Sequence, residues 1–252
     1  MQLADTLART AVNRGELAVF WLGQAGFLFK TADGTRITAD PYLSDCVERH
    51  FGFKRLMPHL IKPEELQTDL LLISHAHYDH FDPDAVPAML SGHTRLAAAR
   101  DCRAECEALS LPAEQITYLA CGDTYSYNGV QVTAVPCDHG ELAPDALGLL
   151  LTVSGKRIYL TGDTAFRPDY FKDETLQNLD LLILPINGAF GNMNEEQAAK
   201  AAAILRPKLT VPCHFWNFAE HGGNPGLFAD YMKDLAPELA YTLIPMGGYI
   251  LL

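Results

Sequence analysis

Residues 69–82 read DLLLISHAHYDHFD, an apolar run that opens into four metal-capable side chains, His75, His77, Asp79 and His80. The run has the length and content of a buried strand. A buried strand ending in a tight polar loop is a rigid platform from which short imidazole and carboxylate arms converge on one point. A solvated turn has no reason to crowd three histidines together. One loop cannot complete a metal site, because zinc takes about four ligands per ion. The rest of the chain must supply more His, Asp or Glu.

Those candidates lie at other strand ends. VQVTAVPCD (130–138) has the alternation and β-branched content of a strand, and His139 follows it. Asp163 ends KRIYLTG (156–162), and His214 ends KLTVPC (208–213). His93 instead precedes its strand, TRLAAA (94–99), which assigns it to the opposite edge. Alone, each strand-end residue reads as a partner for nearby backbone groups. Together with the four-ligand loop they read as metal ligands. Seven ligands suit two divalent ions per chain sharing one carboxylate. One ion takes His75, His77 and His139; the other takes Asp79, His80 and His214; Asp163 bridges. The set contains no thiolate, so zinc, manganese and iron are all compatible.

The same pattern runs through the chain twice. GFLFKTADGTRITADP (26–41) is followed by TDLLLISH, a helix from Pro83 and TRLAAA. LGLLLTVSGKRIYLTGDT (147–164) is followed by LDLLILPI, a helix at NEEQAAKAAAIL (194–205) and KLTVPCH. Each half is a strand, a Gly-containing turn, a strand ending in Asp (Asp40, Asp163), a buried strand, a helix and a strand. ADG and SGK are turns that join antiparallel strands. Asn194 and Gln197 form a capping box, and Asp82 caps a helix whose first residue is Pro83. Leu3, Leu7 and Ala11 share one face of an N-terminal helix. Two strand-rich halves with helical cover predict an α+β fold, an αββα sandwich of two mixed sheets with helices on both outer faces. Residues 1–252 form a single domain of two pseudo-repeated halves, since each half alone leaves its inner sheet face exposed.

The 252 residues, 48% of them hydrophobic, are ample to bury a core. Asp5, Arg9 and Arg14 break the N-terminal segment, so no signal peptide is expected. No run approaches the ~18 apolar residues of a membrane span. Six cysteines without an export signal read as reduced thiols of a cytoplasmic protein. A formal net charge of −12 argues against a nucleic-acid footprint and leaves a small molecule as the partner.

The two halves differ in one connection. The stretch from Asp40 to Leu70 is about a dozen residues longer than its counterpart from Asp163 to Leu181. The extra segment, CVERHFGFKRLMPHLIK (46–62), carries Arg49, Lys54, Arg55 and Lys62 against a single Glu48. A long connection in a compact domain is often a lid or binding loop. Arg49 and Arg55 are therefore expected to select an anionic substrate.

Five motifs, from WLGQAGFLFK (21–30) through SHAHYDH and TGDT to PCHFWNF (212–218), resemble the metallo-β-lactamase superfamily over nearly the whole chain, to the final GGYILL. The resemblance implies the αββα sandwich and a metal-dependent hydrolase. Asp163 stands where the drug-resistance zinc β-lactamases tend to carry cysteine, which disfavours antibiotic hydrolysis. His77 stands where diiron flavoprotein relatives carry an acidic ligand, and no flavin domain follows. Within the superfamily, WLGQAG, TADPYL, SHAHYDH, TGDT and PCHFWNF resemble the L-ascorbate-6-phosphate lactonase-like branch. That implies a metal-bound hydroxide attacking a lactone or related ester, such as a phosphorylated sugar lactone. Asp79 and Asp163 are then the catalytic carboxylates, with Asp79 passing a proton to the leaving alkoxide. SHAHYDHFD also resembles N-acyl-phosphatidylethanolamine phospholipase D, which implies phosphodiester cleavage. A metal-binding scaffold or sensor without turnover is the alternative of another class, and the complete ligand set speaks against it. Tyr78 inside the ligand loop, and Trp216, Asn217 and His221 after His214, are candidates to line a substrate mouth.

Overall fold

A computed structural model describes residues 3–252. Its strands are β1 (Leu17–Gly23), β2 (Gly26–Thr31), β3 (Arg36–Ala39), β4 (Leu70–Ile73), β5 (Arg95–Ala99), β6 (Ile116–Leu119), β7 (Thr124–Tyr127), β8 (Val130–Pro136), β9 (Leu147–Val153), β10 (Lys156–Leu160), β11 (Leu181–Pro185), β12 (Thr210–Cys213) and β13 (Tyr249–Leu251). They form two sheets, ordered β13-β1-β2-β3-β4-β5-β6 and β12-β11-β10-β9-β8-β7. The order β2-β3-β4-β5 recurs as β9-β10-β11-β12: an antiparallel pair, then two parallel pairings. The echo in the sequence is thus an echo of topology.

The local chemistry explains the hairpins. Between β9 and β10 the chain turns through Ser154 and Gly155 at φ 51° and 72°. Two consecutive positive φ values match the twist of the flanking strands. Between β2 and β3, Gly34 turns at φ 90°. The wholly apolar β4 lies between two parallel neighbours with every residue buried, which is where an uninterrupted aliphatic run belongs.

Helices α1 (Leu3–Arg9), α2 (Cys46–Phe51), α3 (Ala85–Met89), α4 (Arg103–Ala108), α5 (Glu195–Leu205) and α6 (Pro225–Leu235) complete the α+β sandwich. One hydrophobic cluster draws Phe27 and Leu72 from the first sheet and Leu151 and Leu182 from the second. Truncating any of these side chains to alanine costs about 2–5 kcal/mol. Asn194 and Gln197 form the reciprocal capping box at the start of α5. Leu3 and Leu7 are buried on α1, but the helix stops at Arg9 and Ala11 is exposed beyond it.

Asp82 departs from its expected role as a simple helix cap. Helix α3 begins at Ala85, after Pro83. One Asp82 oxygen accepts from the Asp84 and Ala85 backbone, while the other accepts from Leu43 and Ser44 at 2.9 and 2.8 Å. Its carboxylate therefore ties the ligand loop to the root of the 46–62 segment. Among the described residues, no helix is long and apolar enough to cross a membrane.

Candidate metal centre

The C-terminal ends of β4, β8, β10 and β12 open on one edge, and each releases candidate ligands there. His75 Nε2 lies 3.0 Å from His77 Nδ1, and His139 Nε2 lies 3.2 Å from the same atom. The second group is equally close. His214 Nε2 is 3.3 Å from both His80 Nε2 and Asp79 Oδ2. Asp163 reaches both groups: Oδ2 is 3.1 Å from His214 and 3.9 Å from His139, and Oδ1 is 3.4 Å from His80. All seven residues picked from the sequence as ligands converge. His93 does not; it pairs with Asp69 at an exposed position elsewhere.

The donor set fits divalent cations. The outward nitrogens of three rings already have partners: His77 Nε2 faces the Leu142 carbonyl at 3.2 Å, His80 Nδ1 faces Asp40 Oδ2 at 3.0 Å, and His75 Nδ1 faces Ser74 Oγ at 3.0 Å. Engaging the outer nitrogen turns the inner lone pair toward the centre, as metal-ligating histidines do. Burial holds the His75 imidazole well below its ordinary range and pushes His139 down to about 4, so both stay neutral. Burial also works against ionised Asp163, but His214 and His80 outweigh it and keep the carboxyl well below the usual range. At His214 burial is again outweighed, here by Asp163 and Asp79, and the ring is pushed up to about 9. The two carboxylates thus draw positive charge to this spot. Divalent cations supply that charge directly.

A model of the beta-lactamase superfamily domain matches residues 18–214. The chain belongs to the metallo-β-lactamase superfamily. It is 34% identical over 230 residues to a UPF0173 metal-dependent hydrolase of Thermus thermophilus, covering 87% of this chain and 93% of the relative. A second such hydrolase, from Carboxydothermus hydrogenoformans, is 28% identical over 94% of this chain and 100% of its own length. The crystal structure of the metallo-beta-lactamase fold protein YhfI from Bacillus subtilis superposes with a TM-score of 0.70 at 17% identity, over 94% of this chain and 98% of that one. The protein is a metal-dependent hydrolase.

In this superfamily member the supporting residues are mostly ones the sequence reading did not mark. Asp40 stood out only as a strand-terminal echo of Asp163. Its Oδ1 accepts from the Ser74 backbone at 2.7 Å and its Oδ2 from the Ser74 hydroxyl at 2.6 Å, while it also faces His80. Gln24, in the turn between β1 and β2, donates from Nε2 to Asp79 Oδ2 at 2.7 Å. The same nitrogen lies 3.1 Å from His214 Nε2 and from His221 Nδ1. Asn192 donates to Asp163 Oδ2 at 2.7 Å. Gln24, Asp40 and His214 all have left-handed backbone, with φ of 50°, 45° and 61°. Gln24 was legible only as part of the WLGQAG motif, and nothing in GNMN pointed to Asn192.

A pocket of about 490 Å3 opens over the ligands. Phe51, Phe53, Leu142, Phe190 and Phe218 form much of its wall, and its charged lining residues are Asp79, Glu105 and Asp163, with no lysine or arginine. Tyr78 and His221 line it, as expected from their positions. The Tyr78 hydroxyl donates to Glu105 at 3.2 Å. His221 stacks on His214 at 4.9 Å, and its ligand atom lies with those of Asp79 and His214 within 4.8 Å of one another.

The other four residues singled out for substrate binding do not line this pocket. The Arg55 side chain is 7% exposed; Nη2 donates to the Tyr42 and Ser44 carbonyls at 2.9 and 3.0 Å, and the guanidinium lies 4.1 Å over the Tyr42 ring. These carbonyls hold the charge away from the pocket. Asn217 is buried, facing Arg55 and accepting from the Leu56 backbone. Arg49 is exposed and paired with Asp84. Trp216 is 55% exposed and turned outside this pocket. The basic segment supplies the pocket with aromatic rings and no cations.

Proposed function

We propose that this hydrolase works with two divalent ions and opens the carbonyl–oxygen bond of a lactone or related ester in a small molecule. One observation carries the reading: Asp163 stands between two groups of converging donors, with one carboxylate oxygen toward His80 and the other toward His214 and His139. His75, His77 and His139 would hold one ion, Asp79, His80 and His214 the other, and Asp163 both. Such a pair supplies Lewis acidity toward a carbonyl and an activated water at neutral pH.

The chain's own residues do the rest. Gln24 fixes Asp79, Asp40 and Ser74 fix His80 and His75, and Asn192 fixes Asp163, so that the donors need no rearrangement on binding. Asp79 lines the pocket as a carboxylate, which would take a proton from the attacking water and return it to the leaving alkoxide. The phosphodiester alternative is less well supported, because the lining offers no guanidinium or ammonium to grip a phosphate. The bound-metal hydrolase reading is tested by metal analysis and turnover on one preparation, assayed against lactones, thioesters and phosphodiesters. About two ions per chain with turnover of lactones or esters is the expected result. One ion under metal excess, or metal without any turnover, sinks it in favour of a mononuclear site or a scaffold.

A further inference from the structure

We propose that the pocket beside the metal centre selects a neutral substrate carrying an apolar chain or ring, clasped between the 46–62 segment and the loop bearing Phe190. This rests on the hydrolase reading above and adds the substrate class to it. Phe51 and Phe53 come from one side and Phe190 from the other; the Phe53 and Phe190 ring centroids stand 5.9 Å apart. Three apolar side chains at this rim are left open to solvent, Phe51 at 59%, Leu142 at 57% and Phe190 at 47%. Large apolar side chains gathered at the mouth of a concave site mark a surface that a ligand covers.

The wall is built rather than loosely draped. Tyr42, Cys46, Val47 and Phe218 form a separate small core beneath it, with Phe53 packed against them. Arg55 anchors the same segment through the Tyr42 and Ser44 carbonyls, and Asp82 holds its root. A rigid apolar wall binds an apolar group without first having to order itself. Charge points the same way. Away from the metal ligands, the wall would offer a polyanion Glu105 and no lysine or arginine, on a protein whose net charge is −12.

The test uses the metal-loaded full chain and a series of straight-chain hydroxamic acids, from acetohydroxamic to octanohydroxamic acid, titrated by calorimetry. The head group chelates the ions and the tail probes the wall, so the measurement needs no turnover. Kd is expected to fall about fourfold per added methylene, the equivalent of ~0.8 kcal/mol, until the pocket is filled. Phe53→Ala should flatten that slope. Phe190→Ala, at a half-exposed position, should do the same and keeps the test open if the first variant fails to fold. A flat dependence on chain length, no binding of the longer members, or a slope untouched in Phe190→Ala would overturn the proposal. A steep slope in a protein that hydrolyses no ester or lactone would leave the apolar pocket standing and remove the hydrolytic reading instead.

Discussion

The Oδ2 atom of Asp40 lies 3.0 Å from Nδ1 of His80, and the same carboxylate is held by both the backbone and the hydroxyl of Ser74. The end of β3, the strand beside β4, thereby sets the orientation of a ring in the ligand loop. Asp40→Asn keeps the size but removes the charge that favours an Nδ1–H on His80. Metal affinity should drop about 10–100-fold, as it does when such outer partners are lost. Competition against a chelating dye measures it. Wild-type affinity in a folded variant would break the proposed chain from Asp40 to the metal.

Asp163→Asn probes the shared position. The change is nearly isosteric, and Asn192 can turn its amide to meet the new side chain. Turnover should fall by at least about two orders of magnitude, with weaker retention of one or both ions and an unchanged circular dichroism spectrum. Comparable turnover would exclude Asp163 from the mechanism.

Gln24→Ala removes the donor that holds Asp79 Oδ2 and sits beside His214 and His221. The ion assigned to Asp79, His80 and His214 should bind about tenfold or more weakly, while the His75, His77, His139 side is unaffected. Cobalt substitution followed by stepwise removal separates the two sites spectroscopically. Equal weakening of both would show that Gln24 acts on the fold rather than on one side of the centre.

The two arginines should behave differently from each other and alike toward every substrate. Arg55→Ala takes the guanidinium donor from the Tyr42 and Ser44 carbonyls and removes the cation above Tyr42, which should cost about 2–4 kcal/mol in urea unfolding. Arg49→Ala, at an exposed ion pair, should be indistinguishable from wild type in the same measurement. Neither should discriminate phosphorylated from neutral analogues. A KM defect confined to the phosphorylated analogue would restore the electrostatic role expected from the sequence.

Much of this was legible because strands and ligands share a grammar. LLLI, VQVTAVP, KRIYL and LTVPC announce buried strands, and a histidine or aspartate just past each one can only emerge at the strand's C-terminal edge. That logic collected seven residues which the structure brings within a few ångströms. The aromatic wall was not legible, for a physical reason. Charge is visible in a sequence, but the direction a side chain takes is decided by what lies across from it. In FGFKR the lysine and arginine drew attention, yet the carbonyls of Tyr42 and Ser44 claim the arginine, and the two phenylalanines face the site. Gln24 and Asn192 sit in irregular segments without periodicity, so their partners, 55 and 29 residues away, leave no local trace.

Gln24, Asp40 and His214 share a left-handed backbone conformation that strains a residue with a β-carbon by about 1 kcal/mol and that glycine adopts without strain. Glycine would relieve that strain, but all three side chains are buried and bonded at the centre, so the exchange would leave cavities and unpaired polar groups that cost more than the strain itself. Trp216 shares the conformation at φ 61°, and there too the side chain has a partner: its half-exposed ring lies 5.4 Å from that of Phe215. The contacts that shape the metal centre are thus the same ones that hold Gln24, Asp40 and His214 in a strained backbone.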